Sequence, residues 1–106
     1  MREDELLIAA LVDEAAYDLD ELARSCVVSR QWVLDRVAEG LLAGIASGAE
    51  ERRFSARDRL RAARMFSLER DFEAVPELAA LAADLMEEID RLRARLRRAG
   101  LDRLDY

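Results

Sequence analysis

The chain has 106 residues, 52% hydrophobic and 38% charged, which is room for one small domain and not a disordered composition. The formal net charge is −6, from 23 acids against 17 bases, and every base is arginine; histidine, lysine, asparagine and threonine do not occur. Without histidine there is no His-based triad, no zinc site of the usual kind and no general base titrating near neutral pH, so the composition points away from an enzyme.

The lone cysteine, Cys26, excludes an internal disulfide and fits a reducing cytoplasm. No apolar run approaches the roughly 20 residues of a membrane span, and no signal peptide opens the chain. No cofactor or metal is implied. A monomer of this size buries only roughly 60–70% of its unfolded surface, so a helical chain often completes its core by dimerising. The acid excess argues against nucleic acid as the main partner, because phosphate contacts need local positive charge. That excess is uneven. Residues 1–50 hold eleven acids and four arginines; residues 51–106 hold twelve acids and thirteen arginines.

The pattern is read as a single domain over 1–106. An N-terminal segment covers 1–17, a helix-turn-helix and wing 18–58, and a helical part 59–106. The first segment carries the apolar run Leu6 to Val12, followed by Asp13-Glu14. Such a run fits a short helix or a strand, and a strand here would extend the wing described below. Asp20 is expected to cap a helix from Glu21 to Ser25, and Ser29 a second from Arg30 to Glu39, with Gly40 just past its end. Leu22, Val28, Val33, Val37 and Leu41 recur at spacings that face inward. Two short capped helices with about four residues between them read as a helix-turn-helix.

Leu42 to Phe54 then reads as a short hairpin, or wing, with Ser47-Gly48 near its tip. Ser55 is expected to cap a third helix with Asp58 as the return partner, ending about Arg70. Its apolar positions include Leu60, Ala63, Met65 or Phe66, and Leu68. Asp71 to Val75 is a connection, and Pro76 suits the first turn of a last helix that runs to about Arg98 and stops near Gly100. Leu78, Leu81, Leu85, Ile89, Leu92, Leu96 and Ala99 form a near-heptad seam along it. Glu87, Glu88, Arg91, Arg95 and Arg98 flank that seam at ion-pair spacings. Leu85, Ile89, Leu92 and Leu96 are the expected homodimer interface.

Four pieces in order resemble the MerR-like superfamily: Leu19-Asp20-Glu21-Leu22-Ala23, Val28-Ser29, Glu39-Gly40-Leu41-Leu42 and Arg53-Phe54-Ser55-Ala56-Arg57-Asp58. The likeness covers Tyr17 to Ala99. It implies a mainly helical, winged helix-turn-helix fold with a small β wing and a long C-terminal dimerisation helix. MerR regulators carry Arg-Tyr-Tyr in the recognition helix, where this chain has Leu34, Asp35 and Arg36. The stretches Trp32 to Leu42, opening on a Trp-Val pair, and Leu85 to Leu96 instead resemble the chaperone-modulator CbpM group. That likeness implies binding to the J-domain of a DnaJ-like co-chaperone, CbpA, and inhibition of its work with the Hsp70 chaperone. A DNA-binding regulator of the MerR type is the alternative.

Trp32 lies off the inward stripe and reads as a semi-buried cover over the wing or as an aromatic anchor for a partner. With Asp35, Arg36 and Glu39 on the same face, it forms the expected partner-binding surface. The arginines at 52, 53, 57, 59, 61 and 64 are the strongest argument for DNA, set against interleaved Glu50, Glu51 and Asp58. Arg57, Asp58 and Arg61 are expected to pair along one helix, and Arg53 is a candidate tie between wing and body. Cys26 reads as a small buried hydrophobe, and Phe54, Phe66 and Phe72 as core. The carboxylate pairs Glu50-Glu51 and Glu87-Glu88 are expected at the surface.

Overall fold

Capping chemistry sets the helix boundaries in the computed structural model, which describes residues 15–46 and 52–101. The elements in chain order are β1 (Ala15–Tyr17), α1 (Leu19–Cys26), α2 (Arg30–Ala38), β2 (Ile45–Ala46), β3 (Arg52–Ser55), α3 (Ala56–Phe72) and α4 (Pro76–Arg98). The chain is mainly helical. The apolar run Leu6 to Val12, the tip Ser47-Gly48 and the Glu50-Glu51 pair lie outside the described residues.

Asp18, not Asp20, caps α1. Its carboxylate accepts from the Glu21 N–H at 2.8 Å, while Glu21 accepts from the Asp18 N–H at 2.9 Å. Glu21 sits three residues on from Asp18, the spacing this reciprocal box requires; Asp20 has no such partner. Asp20 instead accepts from Arg30 at 2.6 Å and ties the starts of α1 and α2 together. Val27 then ends α1 in the left-handed region, at φ 56°, and the Val28 N–H returns to the Ala23 carbonyl at 3.0 Å.

Ser29 caps α2 by accepting from the Trp32 N–H at 3.0 Å, as its position predicts. Gly40 takes φ +77° beyond the helix end, and the N–H groups of Leu41 and Leu42 both return to the Arg36 carbonyl. The chain turns into β2 through Gly44 at φ +64°. The Ser55–Asp58 box forms as expected and starts α3 straight out of β3. α3 runs two residues past Arg70, so the connection to α4 is only Glu73–Val75 and the two helices fold back on each other. Pro76 opens α4 at its first position, and Gly100 stands beyond its end at φ +75°.

The three strands form one antiparallel sheet in the order β1-β3-β2. Ala15 pairs with Ser55 and Tyr17 with Phe54, with an irregularity between them, and Ile45 pairs with Arg53. The third strand is therefore the short piece just after Asp13-Glu14. Strands this short rely on packing, and Phe54 supplies it as a fully buried ring.

Two core clusters result. Leu22, Ala23, Val33, Leu42, Phe54 and Ala62 form the first, between α1, α2, β3 and α3. Met65, Ala79, Ala80 and Ala83 form the second, between α3 and α4. Half-buried Trp32 packs against both. The inward stripe of α3 is thus Ala62 and Met65, and Leu60 faces out. Phe72 is not core: it is 75% exposed in the last turn of α3, while Leu68 and Ala74 pack against the second cluster. On α4 the buried face is alanine, whose small side chains let α3 approach closely, and the leucine seam points elsewhere.

Candidate functional site

The face singled out by sequence centres on α2, and the helix divides it in two. Val33 and Arg36 are buried, while Gln31, Leu34, Asp35, Ala38 and Glu39 are exposed. Asp35 accepts from Gln31 at 2.8 Å on the solvent side. Trp32 and Arg36 turn toward α3, where Glu69 receives both.

The Arg36 guanidinium donates from Nε to Glu69 Oε2 at 3.0 Å and from Nη2 to Oε1 at 2.6 Å, and from Nη1 to Glu39 Oε1 at 3.0 Å. The Arg36 and Glu69 side chains are 11% and 15% exposed, so this bidentate pair is largely removed from water. Its hydrogen bonds to Glu69, outweighing burial, hold the Arg36 pKa above the ordinary arginine value. The Trp32 indole N–H donates to the same Glu69 Oε1 at 3.1 Å. Its ring meets Phe66 edge-on, with centroids 5.7 Å apart and planes at 89°, and lies 4.9 Å beneath the Arg36 guanidinium carbon.

The structure therefore brings Trp32, Arg36 and Glu39 together and leaves Asp35 apart on the outer side. Trp32 packs against the cluster that holds Phe54 of β3 as well as against α3, where Glu69 accepts from its indole N–H. Glu69 was missed in the sequence. Its signal was present: it falls four residues after Met65 on the inward stripe of α3, and an acid there requires a buried cation.

The arginine-rich stretch is drawn inward in a different way from that expected. Asp58 is committed to the Ser55 cap and does not pair with Arg61. Arg61 donates to the Leu41 carbonyl at 2.9 Å and pairs with Asp84 on α4. Arg64 reaches Asp90 at 2.7 Å, and Arg52 donates to the Ala43 carbonyl. Arg53 is half-buried on β3; the Glu21 backbone N–H holds the Asp18 carboxyl below the usual carboxylate range, and Arg53 adds to that through space.

Cys26 is half-buried against the first core cluster, with its sulfur 3.5 Å from the Arg59 carbonyl oxygen. Burial pushes its thiol pKa up, the opposite of an activated nucleophile. Among the described residues no group of three metal-ligating side chains converges, and no helix is long and apolar enough to cross a membrane. No buried side-chain nitrogen or oxygen among them lacks a partner.

On α4, the expected interface residues Leu85, Ile89, Leu92 and Leu96 are 59%, 47%, 46% and 41% exposed. Arg91 beside them pairs with Glu87 and Glu88 as the spacing predicts. No family model matches the chain, and neither does any curated protein or solved structure.

Proposed function

We propose that this protein is an interaction module that modulates a DnaJ-like co-chaperone by binding its J-domain. In this reading α1 and α2 are a helix-turn-helix, β2 and β3 the base of a wing, and the whole a MerR-like fold turned from DNA to a protein partner. The observation that carries the reading is the charge on the outer face of α2. That face offers Gln31, Leu34, Asp35, Ala38 and Glu39. Arg36, the one arginine inside that helix beyond its first residue, is neutralised inward by Glu69, which leaves the charge of the more exposed Glu39 in excess. Arg30 at its start is paired with Asp20.

A helix with this surface meets phosphate with the wrong sign. It suits a basic helix such as the one a J-domain presents to its chaperone. Asp35 and Glu39 supply the attraction, Leu34 an apolar centre, and Trp32 and Arg36 hold the helix in place from behind. The DNA-binding alternative draws on the arginines between 52 and 64, of which Arg52, Arg61 and Arg64 are engaged within the chain.

Retention on an immobilised J-domain tests the proposal. The unaltered chain is expected to bind, and Asp35→Arg to weaken binding at least about tenfold through a like-charge contact. Failure of the unaltered chain to bind would end the proposal.

A further inference from the structure

Phe72 ends α3 with its ring 75% exposed, and Val75 and Leu78, 59% and 55% exposed, follow across the short turn into α4. Acids surround them. Residues 69–78 hold Glu69, Asp71, Glu73 and Glu77 against a single arginine, Arg70. Arg70 stacks over the Phe66 ring and is committed to Asp71 at 2.8 Å. Glu73 and Glu77 are exposed and have no arginine partner among the described residues. The turn itself is held in place. The Glu73 N–H returns to the Leu68 carbonyl, Ala74 packs against the second core cluster, and Pro76 fixes the start of α4. An apolar patch on such a turn is a prepared contact surface, because little ordering remains to be done on binding.

We propose, on the basis of J-domain binding at α2, that the contact continues onto this turn. Phe72 and Val75 receive apolar side chains of the partner's basic helix, and Glu73 and Glu77 its cations. Size requires such an extension. A specific interface takes about 20–30 residues a side, and the outer face of α2 offers only Gln31, Leu34, Asp35, Ala38 and Glu39. Glu69 gives the direction. It is bonded to Trp32 and Arg36 of α2, and Phe72 and Glu73 lie one turn further along the same side of α3. Charge separates the turn from the other exposed apolar side chains near α2. Val27 lies between Arg24 and Arg30 in the chain, and Ile45 is paired with Arg53, so neither offers a basic partner the acids that the turn does.

Fluorescence anisotropy of a labelled J-domain titrated with the full chain tests this, with thermal unfolding of each variant alongside. Phe72→Ser, at a position outside both core clusters, is expected to weaken binding about tenfold. Glu73→Gly removes one carboxylate and relieves a positive φ, so it is expected to weaken binding about threefold in a chain that is no less stable. Val27→Gly relieves the same kind of strain away from this surface and is expected to leave the affinity unchanged. Unaltered affinity in Phe72→Ser and Glu73→Gly, where Asp35→Arg still weakens binding, would overturn the extension and leave the contact at α2 standing. An unaltered chain that fails to bind the J-domain would overturn both.

Discussion

Arg36 on α2 and Glu69 on α3 are joined by two side-by-side hydrogen bonds, 3.0 and 2.6 Å long, across 33 positions of sequence. The pair fixes which side of α2 faces the body, and thereby which side faces out. A bidentate pair this far from water is held by geometry as much as by charge, and breaking it leaves one ion stranded. Glu69→Ala is expected to cost about 2–3 kcal/mol, measured by urea unfolding. Emission from Trp32 should shift at the same time, because its indole loses its acceptor. Arg36→Met combined with Glu69→Leu should cost less than the sum of the single changes, since no ion is then left unpaired.

Val27 and Glu73 are the two non-glycine residues with positive φ among those described, at 56° and 53°. Both end helices. Val27 is β-branched and 84% exposed, so its backbone is strained with no packing to offset it. Val27→Gly is expected to raise stability by up to about 1 kcal/mol, and Glu73→Gly by less, in thermal unfolding. A loss of stability in Val27→Gly would mean that the side chain has a contact the fold does not reveal.

Gly44 and Gly40 both take positive φ, yet they answer to different constraints. A Cβ on Gly44 would fall 2.7 Å from the Arg53 carbonyl oxygen and 2.9 Å from the Phe54 ring, whereas one on Gly40 meets nothing within 4 Å. Gly44→Ala should therefore cost well over about 1 kcal/mol, and Gly40→Ala roughly 1 kcal/mol from backbone strain alone. Equal costs would show that Gly44 is not pressed against β3.

Asp18 sets a pH dependence. The backbone N–H of Glu21 holds its carboxyl below the usual carboxylate range, helped by Arg53 and Arg24. The folded state therefore favours the charged form. Its contribution is present above the ordinary carboxylate pKa and is lost as pH falls through and below that range. Asp71 acts with the same sign, lowered by its hydrogen bond from Arg70. Melting temperature should fall on acidification, and Asp18→Asn, which keeps a capping oxygen without titrating, should flatten part of that fall.

Much of the helical scaffold was legible because its boundaries are local chemistry. Ser29, the Ser55–Asp58 box, Pro76 and Gly100 each act within a few residues of themselves, and their spacing is written in the chain. The cap of α1 lies two residues before the expected Asp20 because Asp18 and Asp20 are both acceptable caps, and only the reach of Glu21 distinguishes them. The site was less legible, for a physical reason. Trp32 and Arg36 depend on Glu69, more than thirty residues away, and no periodicity reports which two helix faces will meet. On α4 two apolar strips coexist, and the larger side chains marked the seam while the alanines made the contact with α3.

Titration calorimetry of a J-domain into this protein, at low and at near-physiological salt, tests the proposed function most directly. Saturable binding that weakens as salt rises, and that Asp35→Arg removes, is the expected result. No heat of binding to the J-domain, together with retention of duplex DNA by the same preparation, would contradict it.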